Sequence, residues 1–435
     1  MNGRLGACLA GLAAAAVLLA GCGTQAAGSG TTGAASATGV ASATGVASAA
    51  IPRPVAVAPA SGTPRVASAA SGGRHHYLYV FPDGAMDVYD IDHAGRLVQH
   101  VALPGITSIR GVVASPGTHT LYISHGGDSY QYTGSLLAID LLTGKTLWDH
   151  TYPGGVDSMA IDASGSRIYM PDGELSTDGT WNVIDARDGS VIGQITAGLG
   201  PHNTSVGASG RHVYLGSVHS PYLAVAATAS DHVTKRVGPL KGGVRPFTIN
   251  GHETLAFTTA TGFLGFQVSS LTSGKVLYTR TFGPRFRYDP ATFSPTAPSH
   301  GISLSPDERK AWVIDGPNSY VHVFDVSGLP QRGPREIANL RLRHPFTGTE
   351  AGCSFDCSRD GWLLNSRSGC QVYVGDSGDV IDTRRMRIVG FVPALRDTRK
   401  FIEIDWQGGS PVASTSRTGL GYVTPGTRAA QQACR

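Results

Sequence analysis

Charge is scarce in this chain. Only 15% of its 435 residues are Asp, Glu, Lys or Arg, and 35 cations against 31 anions leave a formal net charge of +4. With no basic run, that balance excludes the electrostatic footprint of a nucleic-acid binder. The sequence patterns of common catalysis are missing as well. There is no Gly-x-Ser-x-Gly elbow, no His-Glu-x-x-His (His252-Glu253 stands alone), no Gly-rich phosphate loop and no Cys-x-x-Cys-His for covalent haem. Asp172-Gly173-Glu174 and Asp178-Gly179 lack the calcium-loop pattern and read as turns. No stretch of useful length carries helical periodicity. Long apolar runs are confined to Leu5–Leu19, which glycines interrupt and which falls short of the roughly 20 residues a membrane span needs.

That N-terminal run has a different logic. Arg4 gives it a positive start, and Leu19-Ala20-Gly21-Cys22 ends it with small residues before a cysteine. The pattern resembles a bacterial lipoprotein lipobox. The resemblance implies that residues 1–21 are a signal peptide and that Cys22 carries the lipid; an ordinary signal peptide with an incidental cysteine is the competing reading. Residues 22–73 are almost all Ala, Gly, Ser, Thr, Val and Pro, with Ala-Ser-Ala-Thr-Gly-Val written twice at 35–40 and 41–46. So little bulky apolar surface cannot offset the entropy of ordering, which predicts a flexible linker. The expected location is the extracytoplasmic side of a bacterial membrane, tethered rather than spanning.

Cysteine is also sparse, six in all. Setting aside Cys8 and Cys22 leaves Cys353, Cys357, Cys370 and Cys434, an even number suited to two disulfides in an oxidising compartment. The pairing stays open among three possibilities. Their spacing lacks a zinc pattern, so no metal and no cofactor are expected.

What is present is repetition. Leu78-Tyr79-Val80, Leu121-Tyr122-Ile123, Ile168-Tyr169-Met170, Val213-Tyr214-Leu215, Ala256-Phe257-Thr258, Ala311-Trp312-Val313, Val372-Tyr373-Val374 and Gly421-Tyr422-Val423 are short strand signatures. Their aromatics lie 43, 47, 45, 43, 55, 61 and 49 residues apart, the length of a four-stranded unit rather than of a helical repeat. After each comes a strand often ending in Asp, as in Leu137-Ala138-Ile139-Asp140 and Asn182-Val183-Ile184-Asp185, then a turn such as Thr143-Gly144-Lys145. Period-two alternation with turns every 8–12 positions predicts an all-β fold.

These repeats resemble the YVTN-type, lactonase-like seven-bladed β-propellers, whose units read roughly V-Y-V, V-x-V-I-D and P-x-G-I-A-x-S-P-D-G. Ser299-His300-Gly301-Ile302-Ser303-Leu304-Ser305-Pro306-Asp307 followed by Ala311-Trp312-Val313 matches that pattern best. The resemblance implies seven four-stranded antiparallel blades over residues 74–426, with N- and C-terminal strands closing the ring, and a tail at 427–435. Extra length is expected around Phe282–Pro298 and Leu363–Gly369.

In a propeller the innermost strands line a channel, so the residues just before them converge on its mouth. The aligned positions are Arg110, Asp157, His202, Arg245, His300, Cys353 and Lys400. Arg110, Arg245 and Lys400 are cationic, His202 and His300 can become so, and Asp157 alone opposes them. Such a mouth favours an anionic ligand; the bland alternative is that the side chains plug the channel. The insertion Phe282-Gly283-Pro284-Arg285-Phe286-Arg287-Tyr288-Asp289-Pro290 is either a lid over the mouth or a neutral surface loop.

The function expected is a monomeric binding or interaction module for an anionic small molecule or another extracytoplasmic protein, with the membrane touched only through the anchor. The alternative is a lactonase-like hydrolase, as the resemblance implies, with His202 or His300 as general base, Arg245 on the developing oxyanion and Glu350 as a further acid/base candidate.

Overall fold

The computed structural model describes residues 73–126, 133–293, 295–354 and 357–415. The expected signal peptide 1–21, Cys22, the linker as far as residue 72, the eighth signature at Tyr422, the tail 427–435 and Cys434 lie outside the described residues. All the described residues fall in one compact unit, Pro59–Arg435.

Each repeat folds into an antiparallel sheet of four strands, and there are seven. Numbered in chain order, blades 1 to 6 occupy 111–153, 160–196, 201–237, 244–281, 302–341 and 362–391. The seven signature aromatics among the described residues all sit on the second strand of a blade, and none is more than 2% exposed. Every one of them points toward the next blade. Tyr122 packs with Met159 and Ile168, Tyr169 with Val206 and Val213, Trp312 with Leu363 and Val372, and Tyr79 with Val112 and Leu121. Seven apolar clusters result, one at each junction between neighbouring blades. The core is therefore distributed around a ring, and each large side chain so buried contributes about 1.5–3 kcal/mol.

The Asp that ends the third strand of a blade has a local cause. Asp140 Oδ1 accepts from the Leu142 and Thr143 amides at 2.8 and 2.7 Å, and Asp382 Oδ1 accepts from the Arg384 and Arg385 amides at 3.0 and 2.7 Å. These carboxylates replace backbone partners in the turn to the outer strand.

Blade 7 closes the circle. Its innermost strand is Phe401–Gln407, paired over seven residues with Arg74–Val80, beyond which lie Ala85–Asp90 and Arg96–Ala102. The C-terminal strand that the structure describes in this closure is thus the one heralded by Lys400. A fifth strand, Ser410–Ser414, lies on the free edge of Phe401–Gln407, and Ser414 donates to the Ala114 carbonyl of blade 1 at 3.1 Å.

Of the two expected insertions, one is relocated and the other lies where the sequence placed it. The innermost strand of blade 6 is Trp362–Asn365, so the extra length there is the loop 342–361 before it rather than Leu363–Gly369. The insertion after blade 4 is not a lid of free aromatics. Phe282 stacks on His322 at 3.8 Å and Phe286 meets Tyr320 and His322 edge-on, so both rings fill the flank of blade 5. Cys353 pairs with Cys357 inside the 342–361 loop, and Cys370 is disulfide-bonded as well.

Candidate functional site

The chain reaches the channel mouth around the start of each innermost strand, and that backbone rule gathers residues scores of positions apart. Arg110, Asp157, His202, Arg245, His300 and Lys400 all line one cavity of about 490 Å³. Their exposures run from 1% for Asp157 to 9% for Arg245, which makes them interior groups rather than surface charges. Cys353 is not among the lining residues. The position equivalent to the others in blade 6 is Asp360, two residues before Trp362.

Ion pairing organises the cavity into two halves. In the first, His202 Nδ1 lies 2.7 Å from Asp157 Oδ2, and the guanidinium of Arg110 is 3.5 Å from both Asp157 Oδ2 and Glu174 Oε1. Glu174 also takes Arg245 Nη1 at 2.8 Å, while Arg245 Nε donates to Thr261 Oγ1 at 3.0 Å. Burial alone would push the Glu174 carboxyl up, but His202, Arg245 and Arg110 outweigh it and hold the group below its ordinary value. In the second half, Arg399 bridges Asp360 at 2.6 Å and Glu350 at 3.2 Å. Behind them Asp376 Oδ2 accepts from the Asp360 and Gly361 amides at 3.0 and 2.9 Å. Burial first, and the neighbouring Glu350 second, raise the Asp376 carboxyl well above its usual range.

The two imidazoles face each other across these halves with ring centroids 6.3 Å apart. His300 is held neutral: burial and the Arg399 charge push it well below the usual histidine range. Its Nδ1–H donates to the Gly361 carbonyl at 2.9 Å, which leaves Nε2 as an acceptor. Gly361 is required here. It has φ +92°, and a Cβ would meet Ile314 at 2.5 Å, so only glycine turns the chain inward at this point. His202 donates through Nδ1 to Asp157, and its buried Nε2 has no hydrogen-bond partner among the described residues. Among those residues no group of three or more His, Cys, Asp or Glu is placed to hold a metal ion.

No family model and no curated protein matches the chain. Among solved structures, Kuenenia stuttgartiensis Hydrazine Synthase is similar at 16% identity, covering 75% of this chain and 91% of that chain with a TM-score of 0.47. A likeness that distant says nothing about chemistry.

The expected charge imbalance is corrected by residues that sequence reading missed. Glu174 comes from a turn inside blade 2, Asp360 from the long loop before blade 6, and Arg399 sits one place before an aligned position; Glu350, on that same loop, is the acid/base candidate the sequence had offered. Four cations and three carboxylates line the cavity, and Glu350 lies behind Arg399. The mouth is close to electrically balanced. Two signals were present in the sequence: Asp360-Gly361 before a Trp-Leu-Leu strand, and the acidic Asp172-Gly173-Glu174 turn.

Proposed function

We propose that the cavity binds a small carboxylate that also carries hydroxyl groups, and that the propeller is a binding module for such a ligand. The observation that carries this reading is the buried, unpartnered Nε2 of His202 beside Arg110 and Arg245. A buried polar nitrogen without a partner is an exception that calls for a ligand. His202 and His300 offer two acceptor nitrogens to hydroxyl groups, and guanidinium groups fixed by Glu174 and Asp360 offer oriented donors to a carboxylate. Because those arginines are already held in place, little side-chain entropy is lost on binding.

We further propose the tethered, extracytoplasmic setting and membership of the YVTN-type propellers. The Cys353–Cys357 disulfide supports an oxidising compartment. The lipobox-like Leu19-Ala20-Gly21-Cys22 and the repeat pattern support the rest.

The test is thermal melting of the purified protein with millimolar glycolate, lactate, gluconate and, as contrast, acetate and glucose. Gluconate is expected to raise the melting temperature most, with the shift lost in His202→Gln and Arg245→Ala. Equal shifts from acetate and gluconate, or none from any, refute the reading.

One observation favours a second reading, a hydrolase. The Asp157–His202 dyad is built as a general base whose Nε2 has no partner inside the fold, with Arg110 and Arg245 placed for a developing oxyanion. A lactone is the cyclic ester of a hydroxy acid, so product and ligand would be the same chemistry. Turnover of gluconolactone above the uncatalysed rate, reduced by about 10²–10⁴-fold in His202→Gln, is what this reading requires.

A further inference from the structure

Far from the mouth, the outermost strands of blades 5 and 6 splay apart and leave a groove of about 730 Å³. Arg341 stands on the outer strand of blade 5 with Arg343 just beyond it; Arg385 and Arg387 stand on the facing turn and outer strand of blade 6. All four are exposed. The groove also reaches Leu340, Met386 and Ile388, which border the apolar cluster between these two blades.

Some other basic side chains of the outer strands are held by the fold. Lys235 donates to the Leu271 and Thr272 carbonyls, Arg236 to Ala197 and Arg280 to Pro334, each across to a neighbouring blade. In the groove only Arg385 is paired, with Asp382 at 2.7 Å. The side chains of Arg341, Arg343 and Arg387 have no hydrogen bond or ion pair among the described residues. Three uncompensated guanidinium groups around one cleft are a concentration of positive potential that nothing in the blade geometry requires.

We propose that this groove docks an extended acidic peptide, carboxylates on the arginines and an apolar side chain on the Leu340–Met386–Ile388 floor. The flanking strands favour such an occupant. Arg335–Arg341 pairs only with Tyr320–Asp325, and Arg387–Phe391 only with Asp379–Asp382, so both have an outward edge without a ladder partner among the described residues. An incoming strand can add main-chain hydrogen bonds there. A sulfated polysaccharide would satisfy the arginines but has no side chain for the apolar floor, and a bilayer surface does not enter a cleft between two blades.

The experiment is fluorescence anisotropy of the full chain with a labelled hexapeptide alternating glutamate with valine and leucine, run beside a heparin-type oligosaccharide and phosphatidylglycerol vesicles. Saturable peptide binding is expected, weakened roughly tenfold by moving from low to about 0.3 M salt and at least tenfold in an Arg341→Ser, Arg387→Ser double variant. The gluconate response at the mouth should be unchanged in that variant, which separates failure of this docking surface from failure of the mouth. No peptide binding, equal binding by the double variant, or tighter binding of the oligosaccharide or the vesicles would each overturn the proposal.

Discussion

The arginines of the mouth and those of the rim groove are the same side chain in opposite circumstances. Arg110, Arg245 and Arg399 are buried, and each lies against a carboxylate. Arg341, Arg343 and Arg387 stand in water with no such partner among the described residues. The first set forms charged struts whose removal strands a buried carboxylate; the second contributes potential without structure. Burial and pairing, not residue type, decide whether a cation serves the fold or is left for a partner.

The largest effect should come from the strut that holds the most. Replacing Arg399→Met leaves Asp360 and Glu350 buried without their shared cation, at about 3–5 kcal/mol. Denaturant unfolding should show a lower midpoint with an unchanged slope. If Arg399→Met is as stable as the parent, the mouth arginines are not struts and the contrast with the rim collapses.

Carboxyls sharpen the same contrast through pH. Glu174, beside His202, Arg245 and Arg110, is held below its ordinary value, whereas Glu403 is pushed up to about 8, by burial first and by adjacent Asp405 second. Its neighbour Arg367 is 3.0 Å from Asp405 and only partly offsets this. The folded state therefore holds a proton on Glu403 that the unfolded chain releases near pH 4.5. Stability from this group is complete below that value and is lost as pH rises toward about 8, by at most about 1.4 kcal/mol per pH unit. Asp172, raised to about 8 by burial and Asp178, acts in the same direction. Melting temperature should fall between pH 5 and 8.5 in the parent and fall less steeply in Glu403→Gln; identical slopes would show that Glu403 is ionised in the fold.

The ring was legible because its cause is periodic. An aromatic must fill each junction between blades, so Tyr79, Tyr122, Tyr169, Tyr214, Phe257, Trp312 and Tyr373 recur at blade spacing, and a turn-capping Asp marks five of the seven outer hairpins. The mouth was half legible for the same reason: Arg110, Asp157, His202, Arg245, His300 and Lys400 all stand at or within three residues of the start of an innermost strand. Glu174 and Asp360 reach the cavity from loops, where no period constrains position, and an alignment of repeats passes over them. The strand Trp362–Asn365 lies behind a loop of unusual length, which is why Cys353 took the place that belongs to Asp360. The rim groove left no signal at all, since four arginines on or beside two outer strands 40 or more residues apart meet only once the blades are stacked.

The smallest effect tests the other side of the contrast. Arg280 and Arg387 are both arginines of outer strands, but Arg280 Nε donates to the Pro334 carbonyl of the next blade at 2.9 Å. Arg280→Ala removes that hydrogen bond and should cost about 1 kcal/mol. Arg387→Ala removes a solvated charge from among like charges, so its stability should stay within about 0.5 kcal/mol of the parent, and any shift should be a gain that disappears in high salt. Side-by-side denaturant titrations at low and high salt measure both. A loss for Arg387→Ala as large as that for Arg280→Ala would mean that the groove arginines are bound into the fold, and the distinction between the two places on the molecule would fail at its cheapest test.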